Sequence, residues 1–386
     1  MKKYKNYGTN IEEQAIEQMN NAMSLPIVEF GALMADSHFG YGVPIGAVVV
    51  TENYIVPGAI GFDICCGMKI SILDMKVEDI DNRKDELKRA INENTRFGVG
   101  SHYEKPLNHP VMNDKAWLHP VFDYEKAKSQ LGSSGSGNHF VEFGELEIKE
   151  PCLGLEPGNY VALLSHGGSR GSGHDVASYF TKLAKELHPE LPDNLKDLAW
   201  LDLDSEEGQD YFSCMELMGK YAEACHQLIH QGILKALNVD ALVSVENHHN
   251  YAWRETINGK DVLVHRKGAT PAQKGVLGII PGSMATPGFI VEGRGDAESM
   301  NSASHGAGRA MSRTAAKKAF TREEMDKFLK DNNVELMSGG LDECPGGYKN
   351  INTVMENQKD LVKILAKFSP RLVKMALDKK KKGKLF

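Results

Sequence analysis

The chain has no long hydrophobic run. Of its 386 residues 41% are hydrophobic, yet no stretch approaches the ~18 to 20 consecutive apolar residues that span a membrane. Residues 1–5 are basic, but polar residues follow them instead of an apolar segment, so we expect no secretory signal. The sequence therefore predicts no membrane partner.

Cysteines are too few for a disulfide framework. There are six in the whole chain, two of them adjacent at Cys65 and Cys66. Reduced thiols in the cytoplasm are the simpler interpretation. A reduced thiol is free to bind a metal ion.

Basic residues do not predominate either. The net charge of −7 argues against a protein that coats nucleic acid indiscriminately, because such binding depends on lysine and arginine displacing counterions. The lysine-rich tail, residues 375–386, is predicted to be a solvated charge run without a catalytic role.

No linker rich in proline, glycine and serine divides the chain, and no internal repeat recurs at a fixed period. At ~150 residues per domain, length alone suggests two or three domains. The polar motifs, however, are spread from residue 36 to residue 313. We therefore predict one large domain, residues 1–374, whose site is assembled from distant segments.

Hydrophobic periodicity predicts an α+β fold, with central β-sheets flanked by helices. Helices are expected over 10–23, capped by Thr9 or Asn10, and over 77–92, 174–190 and 209–237; strands are expected over 44–50, 55–60, 68–73, 160–164, 241–246 and 261–265. Several of these strands run straight into a polar motif, which places function at strand ends.

One polar motif offers metal ligands. Asp63 and Cys66 lie three residues apart in a turn bounded by Gly61 and Gly67, so both side chains can converge on one centre. Carboxylate, thiolate and imidazole together suit Zn²⁺, Mn²⁺ or Fe²⁺. The alternative is that Cys65 and Cys66 are small buried hydrophobic residues.

Three histidines are candidate ligands because of their neighbours. Asn138 precedes His139, two glycines follow His166, and Asn250 follows His249. His248 competes with His249, and spacing alone does not separate them. We expect structural or surface roles for the remaining six considered: His102, His109, His119, His188, His226 and His230.

His305 lies among glycines and is followed by arginines. A neutral imidazole can attack phosphorus as a nucleophile, and glycines let backbone amides approach an anion. If a helix begins here, Arg309 and Arg313 share its face, and arginine binds phosphate in a bidentate manner. The motif predicts a phosphoryl-handling element.

Together these motifs resemble the RtcB family of RNA-splicing ligases. The resemblance covers about residues 11 to 374, and its motifs occur in the family's order: residues 36–46, 63–68, 137–142, 166–171, 249–250, 265–270, 281–284 and 304–313. It implies an RtcB-like fold and an enzyme that joins RNA 3′-phosphate or 2′,3′-cyclic phosphate ends to 5′-hydroxyl ends, in tRNA splicing or RNA repair, using GTP and two Mn²⁺ ions.

The resemblance also implies residue roles. His305 would accept GMP, and the metal ions would be held by Asp63, Cys66, His139, His166 and His249, with Cys66 shared. The nucleotide would contact Asn138, Glu142, Asn250, Ser283, His305, Gly306, Ala307, Gly308, Tyr348 and Lys374. RNA phosphates would contact Arg170, Arg309 and Arg313. An archease-type activator is a further implied partner.

Three departures from the family's pattern affect these expectations. Ala35 replaces a proline, Ala285 stands where glycine is common and is expected to narrow the guanosine pocket, and the chain continues beyond Lys374. Substrate choice between tRNA halves and damaged RNA is left open.

Two other classes of protein compete with a ligase. A metal-dependent phosphodiesterase or phosphatase would need the metal ligands but not His305. A non-catalytic RNA-binding module would show a basic face or interleaved aromatic residues, whereas this chain is acidic with 8% aromatic residues. The motifs favour the ligase.

Overall fold

The computed structural model describes residues 2–257 and 259–377. Most of the predicted basic tail, residues 378–386, lies outside the described residues. No helix in the described ranges is both long and apolar enough to cross a membrane.

The larger sheet has eight strands and carries most of the motifs. Its order is β13-β14-β17-β6-β7-β5-β9, and β16 also pairs with β17. The bounds are β5 Gly67–Leu73, β6 Phe140–Ile148, β7 Gly158–Gly167, β9 Ala241–His248, β13 Leu277–Ile280, β14 Gly288–Gly293, β16 Glu335–Ser338 and β17 Val362–Met375. The edge strands β13 and β9 contact each other, so the sheet nearly closes on itself.

A second sheet of five strands packs against the first. Its order is β1-β2-β3-β11-β10, with bounds β1 Lys5–Asn6, β2 Val28–His38, β3 Ile45–Thr51, β10 Asn250–Ile257 and β11 Lys260–Lys267. Two short pairs complete the strands: β4 Tyr54–Ile55 with β8 Leu201–Asp202, and β12 Ala269–Pro271 with β15 Ser302–Ser304.

Helices cover these sheets. Their bounds are α1 Glu13–Ser24, α2 Asp79–Asn82, α3 Lys84–Asn94, α4 Tyr124–Gln130, α5 Arg170–Leu187, α6 Glu206–Leu237, α7 Arg313–Ala319, α8 Arg322–Asp331 and α9 Ile351–Glu356. The longest, α6, begins where the Ser205 hydroxyl accepts from the Gly208 amide and ends at Asn238 in the left-handed conformation. Such caps satisfy the otherwise unpaired backbone groups at helix ends.

One apolar cluster joins the two sheets. Val48 and Val50 of β3 pack in the same buried cluster as Ile280 of β13 and Val291 of β14. A shared core makes the described chain a single mixed domain, which confirms the α+β prediction.

Two helix predictions need correction. The cap of α1 is Glu12 rather than Thr9 or Asn10, and its side chain makes no capping hydrogen bond. The helix expected over 77–92 is two helices, because the backbone leaves the helical region at Arg83 (φ −110°, ψ 21°). Periodicity predicts the buried face but does not detect such a local break.

The strand predicted over 55–60 is wrong beyond Ile55. Pro57–Ala59 form a short 3-10 turn instead. Proline lacks an N–H and fixes its φ, which interrupts a strand. Gly58 also packs so closely on the Asp197 carbonyl that a Cβ could not fit.

Candidate active site

The ends of four strands meet at one edge of the larger sheet. The first residue of β5, Gly67, pairs with Gly167 at the end of β7 and with His248 at the end of β9. The first residue of β6, Phe140, pairs with His166. Antiparallel pairing therefore brings the residues next to these ends together, although they lie far apart in sequence.

This edge holds two overlapping sets of metal-ligand side chains. The ligand atoms of Asp63, Cys66 and His139 lie within 4.8 Å of one another, and so do those of Cys66, His166 and His249. The Cys66 Sγ is common to both sets and lies 3.3 Å from His139 Nε2 and 3.1 Å from His166 Nε2. The donor set fits two transition-metal ions that share one thiolate.

The protonation of the imidazoles favours metal binding. Burial lowers the pKa of His166 to about 3 and holds that of His249 well below its ordinary value. The His166 Nδ1 lies 3.0 Å from the Asn138 carbonyl oxygen. A proton on Nδ1 donates to that carbonyl and leaves the lone pair of Nε2 directed into the cluster.

The two acidic ligands respond differently to burial. Burial alone would raise the pKa of Asp63, but His139 and then Arg170 hold it below the usual range. Burial, and then the Asp63 charge, raise the pKa of the Cys66 thiol. A thiolate at this position needs a cation beside it, which a bound metal ion supplies.

The structure separates the two adjacent histidines. His249 Nε2 lies 3.3 Å from His166 Nε2. The His248 side chain turns the other way, and its Nε2 lies 3.1 Å from Glu223 Oε1 on α6. Successive side chains around a strand end face opposite sides, so His249 joins the cluster and His248 does not.

His305 follows β15 beside the metal-ligand cluster. Its ring centroid lies 4.8 Å from that of His249. Its Nδ1 lies 2.7 Å from Oδ2 of Asp36, a fully buried residue near the end of β2. Donation from Nδ1 to this carboxylate leaves Nε2 with a free lone pair, which is the state a nucleophile requires.

Sequence reasoning missed Asp36 as a site residue. It was noted only as part of a motif, residues 36–46. The available signal was a carboxylate in a strand whose other residues are mostly buried and apolar, because a buried carboxylate needs a specific partner.

A cavity of about 390 Å³ connects His305 with four of the five candidate metal ligands, and His139 lines a neighbouring cavity instead. Predicted residues on the walls of the first cavity are Asp63, Cys66, Asn138, Glu142, His166, His249, Asn250, Ser283, His305, Gly306, Ala307, Gly308, Arg309, Arg313 and Tyr348. The structure thus brings nearly all of the predicted site residues to one space.

Glu142 lies on the wall of this cavity. Its side chain is buried, and burial raises the pKa of its carboxyl group well above the ordinary value.

Ser283 lies in a turn where its amide donates to the Thr286 hydroxyl at 2.6 Å. The neighbouring Ala285 belongs to the same apolar cluster as Met325 and is not among the residues that line the cavity. Narrowing of the guanosine pocket by Ala285 stays a prediction.

The segment from His305 to Ser312 is not a helix. α7 begins only at Arg313, so the predicted shared helical face of Arg309 and Arg313 is wrong. Gly308 adopts φ +71°, a left-handed conformation that interrupts a helix. The two arginines are instead brought together by Glu343, a buried residue that sequence reasoning also missed.

Arg170 lies on a neighbouring cavity of about 720 Å³, which shares Asp63, Asn138 and Arg313 with the first. Its Nη2 lies 3.1 Å from His139 Nδ1, and its Nε donates to the Gly168 carbonyl at 2.8 Å. Arg170 therefore contacts the Nδ1 side of His139, whereas the Nε2 of that ring faces Cys66 and Asp63 in the candidate metal-ligand cluster.

Lys374 is the one predicted nucleotide contact that the structure places elsewhere. Its Nζ donates to Asn92 Oδ1 at 2.6 Å and lies over the Phe97 ring. Met375 lines the cavity, and neighbouring strand residues face opposite sides. A nucleotide contact by Lys374 stays a prediction.

Comparison with known proteins agrees with these motifs. The family described as tRNA-splicing ligase RtcB matches residues 18–121 and 119–375. The RNA-splicing ligase RtcB of Escherichia coli is 33% identical over 389 residues, covering 93% of each chain. The tRNA-splicing ligases RtcB of Methanococcus maripaludis and Nanoarchaeum equitans are 32% and 31% identical, and the matches cover 90% and 93% of this chain and 88% and 91% of those proteins.

The family match spans nearly the whole described chain, including every strand of the two sheets except β1 and every strand end next to a candidate metal ligand. All three of these relatives match at more than 30% identity over about nine tenths of each sequence. The chain belongs to the RtcB family.

Proposed function

We propose that this protein is an RNA ligase that joins 3′-phosphate or 2′,3′-cyclic phosphate ends to 5′-hydroxyl ends, using GTP and Mn²⁺. One observation carries the proposal: His305, whose Nδ1 lies beside the buried Asp36 carboxylate, shares a cavity with four of the five candidate metal ligands, Asp63, Cys66, His166 and His249. The relatives are RNA-splicing and tRNA-splicing ligases, which supports RNA as the substrate.

Asp63, Cys66 and His139 would hold one Mn²⁺ ion, and Cys66, His166 and His249 the other. Such ions, when bound, supply positive charge that stabilises the phosphate oxygens of substrate and leaving group. The chain's own contribution is to hold imidazole lone pairs and a carboxylate in place, with Asn138 fixing His166 through its carbonyl oxygen.

His305 would act as the nucleophile. Its Nε2 attacks the α-phosphorus of GTP, a P–N bond forms, and the bond to the β-phosphate oxygen breaks to release pyrophosphate. An oxygen of the RNA 3′-phosphate then displaces the histidine from GMP. Finally the 5′-hydroxyl oxygen attacks the RNA phosphorus and GMP leaves. When the RNA carries a 2′,3′-cyclic phosphate, water opens that ring to a 3′-phosphate before these steps begin. Asp36 accepts a hydrogen bond from the Nδ1–H of His305 throughout the attack and stabilises the positive charge that develops on the imidazole ring.

The cavity walls offer contacts for guanosine and phosphate. Guanine N1–H and N2–H can donate to the two oxygens of the Glu142 carboxylate, and these donors favour the ionised form over the neutral form that burial alone favours. Adenine does not present this pair of donors. The backbone amides of Gly306–Gly308 directly follow His305 in the chain and could approach the phosphate group that His305 attacks. Arg170 and Arg313, on either side of Asn138, would contact RNA phosphates.

Intact-protein mass spectrometry tests the proposal. Metal-loaded protein incubated with GTP should gain the mass of one GMP, and His305→Ala should not. His248→Ala, which changes the histidine outside the cluster, is the matched control and should still form the adduct. Absence of an adduct in the metal-loaded wild type, together with removal of RNA end phosphates, would favour the phosphodiesterase or phosphatase alternative.

The biological setting stays a prediction. tRNA splicing or RNA repair, an archease-type activator and a cytoplasmic location are expected from the resemblance and from composition. Adding purified archease to ligation reactions measures the need for the activator directly.

A further inference from the structure

Glu343 connects two arginines that line the cavity. Its carboxylate is buried, with the side chain 3% exposed. Oε2 accepts from Arg309 Nη1 at 3.2 Å and from the Tyr348 hydroxyl, and Oε1 lies 3.2 Å from Arg313 Nε. One carboxylate shared by two guanidinium groups leaves net positive charge, which suits a phosphate ligand.

Arg309 is largely occupied by the protein itself. Its Nε donates to the Met311 carbonyl at 3.0 Å and its Nη2 to the Asp342 carbonyl at 2.6 Å. Nη1 donates to Glu343 and to the Tyr348 hydroxyl. A guanidinium has five N–H groups, and these contacts account for all but one, so Arg309 mainly holds the loop.

Arg313 has more of its guanidinium free. Its side chain is 45% exposed, and its Nη2 donates to Asn138 Oδ1 at 3.2 Å. Gly137 lies beneath it with φ +78°, and a Cβ there would lie 2.8 Å from Nη1. Arg313 therefore lies between Glu343 and Asn138, above a glycine whose positive φ disfavours other residues.

We propose that Glu343 is a positioning residue that clamps Arg313 against Asn138, so that the exposed nitrogens of Arg313 meet the phosphate of an RNA end in one fixed orientation. This inference rests on the proposed function. A long, exposed arginine side chain loses considerable rotamer freedom when it binds a ligand. Glu343 removes that cost in advance, because the guanidinium is already ordered.

A double-mutant cycle tests the clamp. The variants are Glu343→Gln, Arg313→Ala and the combination, and the probe is an RNA oligonucleotide with a 3′-phosphate, whose Kd is measured by fluorescence anisotropy. We expect Arg313→Ala to weaken binding about 10- to 100-fold, as for a lost charge-assisted contact. Glu343→Gln should weaken it about 5- to 10-fold, and the double variant no more than Arg313→Ala alone.

Three controls separate positioning from a general structural effect. The same oligonucleotide with a 3′-hydroxyl should bind all variants with nearly equal affinity. Glu255→Gln, which changes another buried carboxylate paired with an arginine, Arg266, should leave the Kd within about twofold for the folded protein. Circular dichroism and thermal unfolding report the folded fraction of each variant.

A second variant covers the case in which Glu343→Gln does not fold. Arg313→Lys keeps the charge, and because the side chain at this position is half-exposed the variant is expected to fold. A lysine, however, lacks the forked guanidinium that reaches both Glu343 and Asn138. The clamp predicts that Arg313→Lys weakens binding nearly as much as Arg313→Ala. Wild-type affinity in Arg313→Lys would overturn it.

Multiplicative losses in the cycle would also overturn the clamp, as would unchanged affinity in folded Glu343→Gln. Failure of the proposed function has a different signature. A wild-type protein that binds the 3′-phosphate oligonucleotide but neither forms the GMP adduct nor joins ends would refute the ligase, while the cycle would still decide the role of Glu343.

Discussion

Replacing Asp36 by asparagine tests the proposed step in which His305 attacks GTP. The substitution keeps the shape of the side chain and removes its charge. Asp36 is fully buried, and its Oδ2 lies 2.7 Å from His305 Nδ1. The variant therefore changes the partner of the imidazole without changing the metal ligands.

The expected loss follows from which amide atom faces the imidazole. If the amide oxygen replaces Oδ2, a charge-assisted hydrogen bond worth about 1.5 to 3 kcal/mol becomes a neutral one worth about 1 kcal/mol, a loss of about 2- to 30-fold in rate. If the amide nitrogen faces Nδ1, the proton moves to Nε2 and the nucleophilic lone pair is lost; the corresponding change in a serine protease triad costs about 10⁴-fold. Because Oδ1 of Asp36 has no partner among the described residues, nothing there favours the oxygen-facing rotamer. We expect a loss of at least 10-fold.

The assay is the rate of GMP transfer to His305, followed by intact mass under single-turnover conditions with saturating GTP. Metal content is measured in parallel, since the variant should keep both ions. Asp296→Asn is the matched control, because Asp296 also accepts short hydrogen bonds, from the Tyr7 hydroxyl and the Ser299 amide, but lies outside the cavity. Folded, metal-loaded Asp36→Asn that reacts within less than twofold of wild type would refute the orienting role.

Three further outcomes are expected. His249→Ala should lose at least one bound Mn²⁺ ion by elemental analysis whereas His248→Ala keeps both, and equal metal content would contradict the assignment of ligands. Gly135→Ala should weaken RNA binding about tenfold, because the added Cβ would occupy the space of the Arg170 guanidinium and displace it. The control is Gly154→Ala, which also has a positive φ, +75°, but open surroundings, and which should cost only about 1 kcal/mol of stability. Equal RNA affinities of the two variants would show that Arg170 is not displaced. Burial lowers the pKa of His265 to about 4, so on acidification the unfolded state takes up a proton at this histidine before the folded state does. The free energy of unfolding should therefore fall as pH decreases from about 6.5 to 4, by up to about 1.4 kcal/mol per pH unit. Denaturant unfolding of His265→Gln should show a shallower dependence of stability on pH, and an unchanged slope would contradict this.

The side chains of the candidate metal-ligand cluster could be identified from sequence because their chemistry is local. Asp63 and Cys66 occupy one short turn, and the histidines follow predicted strands. Their convergence depends on register, which the sequence does not display. Pairing of Gly67 with His248 decides which of two adjacent histidines faces the cluster, and a shift of one residue would reverse the choice.

Asp36 and Glu343 were missed for a different reason. Asp36 contacts a residue 269 positions away, and Glu343 contacts arginines 34 and 30 positions away. No periodic pattern encodes such pairs. Buried carboxylates are nevertheless rare unless they are paired, so each one in an otherwise apolar segment indicates a specific distant partner.

The error at residues 305–313 shows why the backbone here must be irregular. A helix would place Arg309 one turn beyond His305 on the same face, and both would compete for the same space around the reacting phosphate. In the structure Gly308 packs so tightly against the Asp36 backbone that a Cβ could not fit, and the chain turns away from a helical path. The turn lets Asp36 hold His305 at one end of the segment while Glu343 holds the arginines at the other. Two buried carboxylates thus hold the proposed nucleophile and a proposed phosphate-binding group independently, an arrangement that a regular helix cannot provide and that helical spacing alone therefore predicts incorrectly.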